Sequence, residues 1–167
     1  CEDCQKGNYS LCKHYSFIGS REFGSFAEYV AVPEKNAVKF DDSVSFEQGA
    51  FFEPATVALH GLLRVPYEGG KTVAILGGGT IGMFTAQWAK IFGAKEVVIF
   101  DIAKERLDMG MRLGATAGIN TKDADFMEQA MALTGDSGFD YVYETAGNTI
   151  TMKMAFELAA NKANVCF

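Results

Sequence analysis

Three glycines that follow a short apolar run form the clearest chemical pattern in the sequence. Gly77, Gly79 and Gly82 have the spacing of a GxGxxG motif, and residues 73–76 before them are apolar and of strand length. Glycine permits a tight turn and lets the backbone approach a pyrophosphate closely. The N–H groups at the start of the following helix favour phosphate anions. The pattern predicts a dinucleotide-binding turn.

An acid at the end of the next apolar run agrees with this interpretation. Asp101 follows residues 97–100, which have the composition of a second strand. A carboxylate there accepts hydrogen bonds from the ribose hydroxyls of adenosine and repels a 2′-phosphate, so we expect NAD rather than NADP. An ordinary glycine turn is the alternative, because GxGxxG alone is a weak signal. The two flanking strands and the acid favour the cofactor.

Clustered cysteines open the sequence. Cys1 and Cys4 form a CxxC pair, and seven residues separate Cys4 from Cys12. A CxxC pair supplies two thiolates from one turn, and a structural zinc takes four ligands in a tetrahedron. We therefore expect a fourth cysteine upstream, in a longer protein of which this chain is the middle. The alternatives are a disulfide, which is disfavoured in a cytosolic chain, or buried thiols. Cys166 lies alone in an apolar run and is interpreted as a core residue.

Glu53 is the third candidate for chemistry. It stands between two phenylalanines and Pro54, at the start of a predicted helix. A carboxylate in apolar surroundings is costly unless it binds a metal or a cation. The alternative is a solvated acid that the helix dipole favours, and the residues leave both interpretations open. His60 lies near the same helix face as Glu53, but a lone histidine is more often a packed or surface residue than a ligand.

Alternating strands and helices position these residues. Ser45 and Gln48 form a predicted capping box, and the helix over 81–91 should present Ile81, Phe84, Trp88 and Ile91 on one apolar face. The alternation indicates an α/β fold with a doubly wound parallel sheet. We place a domain boundary between residues 1–45 and 46–167. The predicted strands are 26–32, 73–76, 97–100, 117–119, 141–143 and 165–167, and the predicted helices are 54–64, 81–91, 103–113, 123–133 and 150–160.

Composition and charge exclude several functional classes. The 167 residues carry a net charge of −6, which argues against binding to nucleic acid or to a membrane surface. No apolar run is long enough to span a bilayer, and there is no signal-peptide pattern. We therefore expect a cytoplasmic protein.

Four stretches together resemble the zinc-dependent medium-chain dehydrogenases, in their polyol and sugar-alcohol branch. The run CEDCQKGNYSLC is similar to the last three cysteines of that family's structural zinc lobe. GSFAEYVAVP is similar to its strand motif, EPATVALHG to its catalytic-zinc helix and VAILGGGTIG to its cofactor loop. The matches occur in order over nearly the whole chain. The resemblance implies a partial Rossmann-type domain that follows the C-terminal part of a mostly-β GroES-like catalytic domain.

The resemblance also implies residue roles. Cys1, Cys4 and Cys12 would bind a structural zinc with a cysteine upstream, and Glu53 would be a ligand, or near-ligand, of a catalytic zinc. The cofactor residues implied are Gly77, Gly79 and Gly82 at the pyrophosphate with the backbone of Thr80 and Ile81, Asp101 and Arg106 at the ribose, and Thr145 in the wall of the cleft.

The activity implied is oxidation of a secondary hydroxyl of a polyol or polyol phosphate to a ketone, with zinc and NAD. A threonine-type or other secondary-alcohol dehydrogenase, or a non-catalytic cofactor-binding scaffold, are the alternatives. The family's catalytic cysteine, its GHE motif and its final sheet strand are not in this sequence. We therefore expect the chain alone to be inactive, and the complete protein to be a homodimer or homotetramer. Arg21 is a candidate contact for a substrate phosphate, although a solvated loop arginine is the simpler interpretation.

Overall fold

All the strands of the computed structural model, which describes residues 1–167, lie in one parallel sheet. The chain divides into two units, Cys1–Val44 and Ser45–Phe167, and the second contains the sheet. The strands are β1 (Thr72–Leu76), β2 (Glu96–Asp101), β3 (Ala117–Asn120), β4 (Phe139–Glu144) and β5 (Ala159–Cys166). Their order in the sheet is β3-β2-β1-β4-β5, the order of a doubly wound dinucleotide-binding sheet.

Helices cover both faces of this sheet. The regular helices are α1 (Glu2–Gln5) in the first unit, and α2 (Phe46–Ala50), α3 (Phe52–Leu62), α4 (Thr80–Ile91), α5 (Lys104–Arg112), α6 (Phe126–Ala132) and α7 (Thr149–Leu158) in the second. Side chains from α3, α4 and α5 form one core with Val73 and Ile75, whereas α6 and α7 pack on the other face over Leu76 and Phe100. The prediction of a doubly wound α/β fold is confirmed.

The central strands form because their side chains are buried on both faces. In β1 and β2 all the residues after the first are buried, which is why both read as continuous apolar runs rather than alternating ones. β1 pairs with β2 and with β4, so that Leu76 lies beside Phe100 on one side and Glu144 on the other. The carboxyl ends of these three strands therefore meet at one edge of the sheet.

The helix after the glycine turn forms where it was predicted, but it buries a different face. Small side chains, Ala86 and Ala89 with Met83, pack on the sheet. On the predicted face, Trp88 is only partly buried against this core and its indole donates to the Ala55 carbonyl of α3 at 2.8 Å, and Ile91 is 71% exposed. The bulky residues of the strands already fill the space above the sheet, and small residues let α4 approach it closely.

Several boundaries differ from the predictions. α3 begins at Phe52, so Pro54 lies in its first turn, where the missing N–H costs nothing. α6 begins at Phe126, because residues 123–125 form a turn. β5 begins six residues earlier than expected and pairs with β4 through an irregular register. The capping box is confirmed, since the Ser45 hydroxyl accepts from Gln48 and the Gln48 side chain accepts from Ser45.

The strand predicted over residues 26–32 is wrong. Residues 1–44 contain α1, two single 3₁₀ turns and one isolated bridge between Ile18 and Glu22, but no strand. Residues 25–32 form no backbone hydrogen bond to another segment, and Phe26 and Tyr29 are exposed. A strand requires a partner for its N–H and C=O groups, and the unit offers none. No helix in either unit has the length and apolarity that crossing a bilayer requires.

Tyrosine hydroxyls attach the segment between α3 and β1 to the sheet. The Tyr143 hydroxyl donates to the Leu62 carbonyl at 3.2 Å, and the Tyr141 hydroxyl donates to the Pro66 carbonyl at 2.8 Å. Tyr67 stacks on Tyr141 and donates to the Ala89 carbonyl at 3.3 Å. Burial raises the pKa of Tyr67 to about 12 and also raises the pKa of Tyr143.

These tyrosines should make stability depend on pH in the alkaline range. An unfolded tyrosine ionises near pH 10, as expected for a free phenol, so the unfolded chain loses protons before the folded one. The stability is fully present below about pH 10 and falls as the pH rises towards 12. We expect urea unfolding to show this fall in the wild type and a shallower one in Tyr143→Phe. Tyr9→Phe, at an exposed tyrosine, should keep the wild-type slope. Equal slopes in all three proteins would contradict the prediction.

Candidate cofactor and zinc sites

The glycine turn between β1 and α4 is packed too closely for side chains at two positions. Gly77 has φ +107°, and a Cβ atom there would lie 2.9 Å from the Ala146 nitrogen. A Cβ atom at Gly82 would lie 1.9 Å from the Gly77 carbonyl oxygen. Gly79 differs, because no atom lies within 4 Å of its Cβ position. The turn therefore has no room for a side chain at Gly77 or at Gly82, whereas the space beside Gly79 is open.

The start of α4 has backbone donors without intrahelical partners. Gly79 is the N-cap residue, and no side chain caps the helix. The Met83 N–H donates to the Gly79 carbonyl at 2.9 Å and closes the first turn. The N–H groups of Thr80 and Ile81 precede that bond and carry the positive end of the helix dipole. This end of α4 can bind an anion.

Asp101 ends β2 and bonds directly to the glycine turn. Its Oδ2 accepts the Gly78 N–H at 2.7 Å, and its Oδ1 accepts the Ala103 N–H at 2.9 Å. Burial raises the pKa of this carboxyl, but the Ala103 and Gly78 N–H groups and the Arg106 guanidinium together hold it below its ordinary value. The side chain is therefore an anion at neutral pH that is fixed beside the turn.

Arg106 is the cation nearest to this carboxylate. Its Nη1 lies 3.4 Å from Asp101 Oδ2, and its side chain is 59% exposed. An ion pair as exposed as this contributes little to stability. Because the side chain is exposed and only Nη1 contacts Asp101, most of the guanidinium donors remain available to a ligand.

Thr145 holds the end of β1 from the other side. Its hydroxyl lies 3.0 Å from the carbonyl oxygens of both Leu76 and Gly77. Its backbone N–H donates to the Leu76 carbonyl at 2.9 Å. Thr145 therefore fixes the chain where the strand turns into the glycine loop.

A cleft of about 300 Å³ opens at this edge of the sheet. It brings together five of the predicted cofactor residues, which are Gly77, Gly79, Asp101, Arg106 and Thr145. Thr80 lines a second, more apolar cleft of about 680 Å³, which shares Gly79 and Arg106 with the first. Ile81 and Gly82 line neither cleft, and for Gly82 the close contact with Gly77 explains why.

Sequence reasoning did not single out Glu144. This acid ends β4, is only 8% exposed and accepts the N–H groups of Ala146 and Gly147. An acid directly after an apolar strand was the available signal, as it was for Asp101. Its position at the carboxyl edge of the sheet depends on the strand order, which a single sequence does not display.

The three clustered cysteines lie close enough to share one metal ion. Their sulfur atoms all lie within 4.8 Å of one another, and the Sγ atoms of Cys1 and Cys4 are 3.5 Å apart. Zinc binds each thiolate at about 2.3 Å, which in a tetrahedron puts the sulfurs roughly 4 Å apart. The His14 N–H donates to Cys12 Sγ at 3.3 Å and lowers the pKa of that thiol, which favours the ligating form. The cluster fits zinc with three of the four usual ligands.

Glu53 does not lie in the apolar surroundings that its neighbours suggested. It is exposed in the first turn of α3, and its carboxylate forms no hydrogen bond or ion pair. It belongs to no group of three or more potential metal ligands, and His60 is also exposed. Phe51 and Phe52 are each about half exposed, so they do not enclose the acid. Its role as a zinc ligand stays a prediction.

Arg21 has a structural partner. Its Nη1 donates to the Tyr15 carbonyl at 2.6 Å within the first unit. This contact favours the simpler interpretation, in which the arginine supports its own loop.

Comparison with known families gives two matches. The description "Zinc-binding dehydrogenase" matches residues 80–167, and "Alcohol dehydrogenase GroES-like domain" matches residues 1–42. The second match agrees with the expected GroES-like remnant.

Three curated relatives represent different substrates. Sorbitol dehydrogenase of Bacillus subtilis is 34% identical over 93% of this chain and 44% of its own length. Galactitol 1-phosphate 5-dehydrogenase of Escherichia coli is 38% identical over 99% of this chain and 48% of its own. L-threonine 3-dehydrogenase of Pseudoalteromonas translucida is 34% identical over 98% and 47%. The chain spans about half the length of the curated relatives it matches.

Solved structures agree with the fold. Galactitol-1-phosphate dehydrogenase from Escherichia coli has a TM-score of 0.88 at 38% identity, over 99% of this chain and 48% of its own. A zinc-binding dehydrogenase from Sinorhizobium meliloti 1021 bound to NADP has a TM-score of 0.91 at 36% identity, over 99% and 49%.

The close contact at Gly82 predicts opposite effects for two substitutions in helices. Gly82→Ala forces a methyl group against the Gly77 carbonyl and should destabilise the fold by about 1–3 kcal/mol. Gly61→Ala is the matched control, since nothing lies within 4 Å of its Cβ position in α3. It should stabilise by about 0.5–1 kcal/mol. Urea unfolding measures both, and a Gly82→Ala protein as stable as the wild type would contradict the packing argument.

The cysteine cluster predicts zinc binding that depends on its own thiols. We expect the purified protein to bind zinc at this cluster, and Cys12→Ser to weaken that binding by at least about tenfold, because a hydroxyl is a poor ligand for this ion. Cobalt substitution gives the readout, since thiolate ligation produces an intense charge-transfer band. Cys166→Ser, in β5 and outside the cluster, is the control. A cobalt spectrum that Cys12→Ser leaves unchanged would exclude this site.

Proposed function

The chain belongs to the zinc-binding dehydrogenase family, and on that premise we propose that it is the NAD-binding part of an oxidoreductase that converts a secondary hydroxyl to a ketone. The observation that carries the proposal is the 2.7 Å hydrogen bond from the Gly78 N–H to Asp101 Oδ2. It joins the two ends of a dinucleotide site, because the glycine turn suits a pyrophosphate and the acid suits the adjacent ribose.

Each group of the cleft then has a separate task. The N–H groups of Thr80 and Ile81 bind the pyrophosphate at the start of α4, where Gly79 leaves room for it. Asp101 keeps free lone pairs beyond its two backbone donors and accepts the ribose hydroxyls. Arg106 adds a cation beside them, and Thr145 fixes the opposite wall.

We propose NAD in preference to NADP. The Asp101 carboxylate is ionised and lies where the ribose would bind, so it repels a 2′-phosphate. Arg106 weakens this argument in part, because its exposed guanidinium could offset the repulsion. The relative from Sinorhizobium meliloti is bound to NADP, which makes the preference worth measuring.

Two zinc ions complete the proposal. Cys1, Cys4 and Cys12 would hold a structural zinc, and Glu53 would be a ligand, or near-ligand, of a catalytic one. When bound, a catalytic zinc polarises the substrate hydroxyl, and NAD accepts the hydride. The described residues around Glu53 do not form a metal site by themselves. What this chain contributes is the position of the cofactor against which a substrate must be held.

The substrate we propose is a small polyol or polyol phosphate, with galactitol 1-phosphate as the first choice. Support comes from the relative that acts on galactitol 1-phosphate, at 38% identity over 99% of the chain, and from the sorbitol dehydrogenase. A threonine-type activity is the alternative within the family. We further propose domains over residues 1–45 and 46–167, a cytoplasmic location, and a homodimer or homotetramer.

A non-catalytic cofactor-binding scaffold is the second candidate. One observation favours it: Glu53, the only predicted catalytic residue, is exposed and belongs to no group of three or more potential metal ligands. Such a protein would bind NAD in the same cleft without turning over an alcohol.

Activity of the full-length protein separates these candidates. We would purify it with zinc and follow NADH formation with galactitol 1-phosphate, galactitol, sorbitol and threonine, with NAD and NADP in turn. We expect turnover of the phosphorylated polyol with NAD. Asp101→Ala should raise the KM for NAD by roughly 10- to 100-fold, since it removes hydrogen bonds to a charged group, and should reduce the preference over NADP.

The other outcomes are equally informative. Turnover of only a free polyol or threonine would retain the family and reject the substrate. No turnover with bound zinc and bound NAD would favour the scaffold. Equal use of NAD and NADP would contradict the role given to Asp101. Arg106→Ala is the matched variant, because it removes the neighbouring cation and leaves the carboxylate.

A further inference from the structure

We infer that Glu144 and Thr151 are positioning residues that set the wall of the cofactor cleft opposite Asp101. The inference rests on the proposed function, because it concerns the same cleft. That wall is formed by Thr145, Ala146 and Asn148, from the connection between β4 and α7, together with Thr151. Glu144 lies behind the wall and does not line the cleft.

The Glu144 carboxylate organises this connection with three donors. Its Oε1 accepts the Ala146 N–H at 2.9 Å, the Gly147 N–H at 3.0 Å and the Thr151 hydroxyl at 2.7 Å. The side chain is 8% exposed and forms no ion pair. A buried carboxylate is costly unless such donors compensate it, so the connection folds around the acid.

Ala146 links the Glu144 carboxylate to the glycine turn, because it contacts both. A Cβ atom at Gly77 would lie 2.9 Å from the Ala146 nitrogen and 3.0 Å from its Cβ. The same backbone N–H of Ala146 donates to Glu144. A shift of the connection therefore moves Ala146 against Gly77 and displaces the glycine turn, which carries the open space at Gly79 where a pyrophosphate would fit.

Thr151 gives the sharper test because it contributes one hydroxyl. Asn148 caps α7 through the Ile150 and Thr151 N–H groups, so the helix start persists without that hydroxyl. Thr151→Val removes the bond to Glu144 and keeps the side-chain shape. Thr151→Ser restores the hydroxyl. Glu144→Gln is a second variant, which places an amide NH₂ beside the Gly147 N–H.

Thr116 offers a matched control at the opposite edge of the sheet. Its hydroxyl lies 2.9 Å from the Val97 carbonyl and accepts the Val97 N–H at 2.9 Å. Thr116→Val therefore also removes hydroxyl bonds to the main chain, but far along the strands from the glycine turn. The NADH affinity of this variant shows how much a loss of stability alone weakens cofactor binding.

The experiment is an NADH titration of the full-length protein by fluorescence, with thermal unfolding measured alongside. We expect Thr151→Val to weaken NADH binding about five- to tenfold, which is less than the full effect of losing one hydrogen bond to a charged group, because the loss reaches the cofactor through the wall of the cleft. Thr151→Ser should bind within about twofold of the wild type, and Thr116→Val should bind like the wild type, by the same arithmetic. Glu144→Gln, if it folds, should bind at least as weakly as Thr151→Val.

Each contrary outcome rejects a different statement. Wild-type affinity in Thr151→Val, or an equal loss in Thr116→Val, would overturn the positioning role and leave the proposed function intact. Failure of the wild type to bind NADH would overturn the proposed function, and this inference with it.

Discussion

The contact between the start of α4 and the carbonyl of Gly77 is the constraint on which the rest of the site depends. A Cβ atom at Gly82 would lie 1.9 Å from that oxygen, so the helix and the turn touch through main chain alone. This contact fixes the direction in which α4 leaves the sheet. It also places the free N–H groups of the first helical turn at the carboxyl end of β1, between β2 and β4.

Electrostatics at this edge follow from the same arrangement. Asp101 and Glu144 are buried acids on the two strands that flank β1, and each is satisfied mainly by backbone N–H groups. Two anions beside a phosphate site would repel the ligand if they were uncompensated. Since their donors belong to the turn and to the connection after β4, the charges hold the walls of the cleft together. Arg106 and the helix dipole of α4 remain to attract the phosphates.

Local sequence determined much of this fold, and tertiary context determined the remainder. Some features follow from local sequence alone and formed as predicted. These are the apolar runs of β1 and β2, the glycine turn and the Ser45 capping box. The buried face of α4 could not be chosen from periodicity, because Trp88 satisfies its indole N–H on α3 rather than on the sheet. The strand over 26–32 failed because alternation predicts an exposed and a buried face, but not a partner strand.

In the candidate site, too, some features follow from local sequence and others from tertiary context. The positions of the glycine turn and Asp101, which are candidate cofactor residues, were predictable because a turn, a helix start and a strand end lie within one βαβ unit, where spacing along the chain fixes position in space. Glu53 and Glu144 were not, since the surroundings of an acid depend on segments distant in sequence. The environment expected for Glu53 was therefore absent, and the burial of Glu144 was missed. The proposed cofactor binding thus rests on contacts within Ser45–Phe167, whereas the proposed alcohol oxidation would also require a metal site, and Glu53 belongs to no group of three or more potential metal ligands.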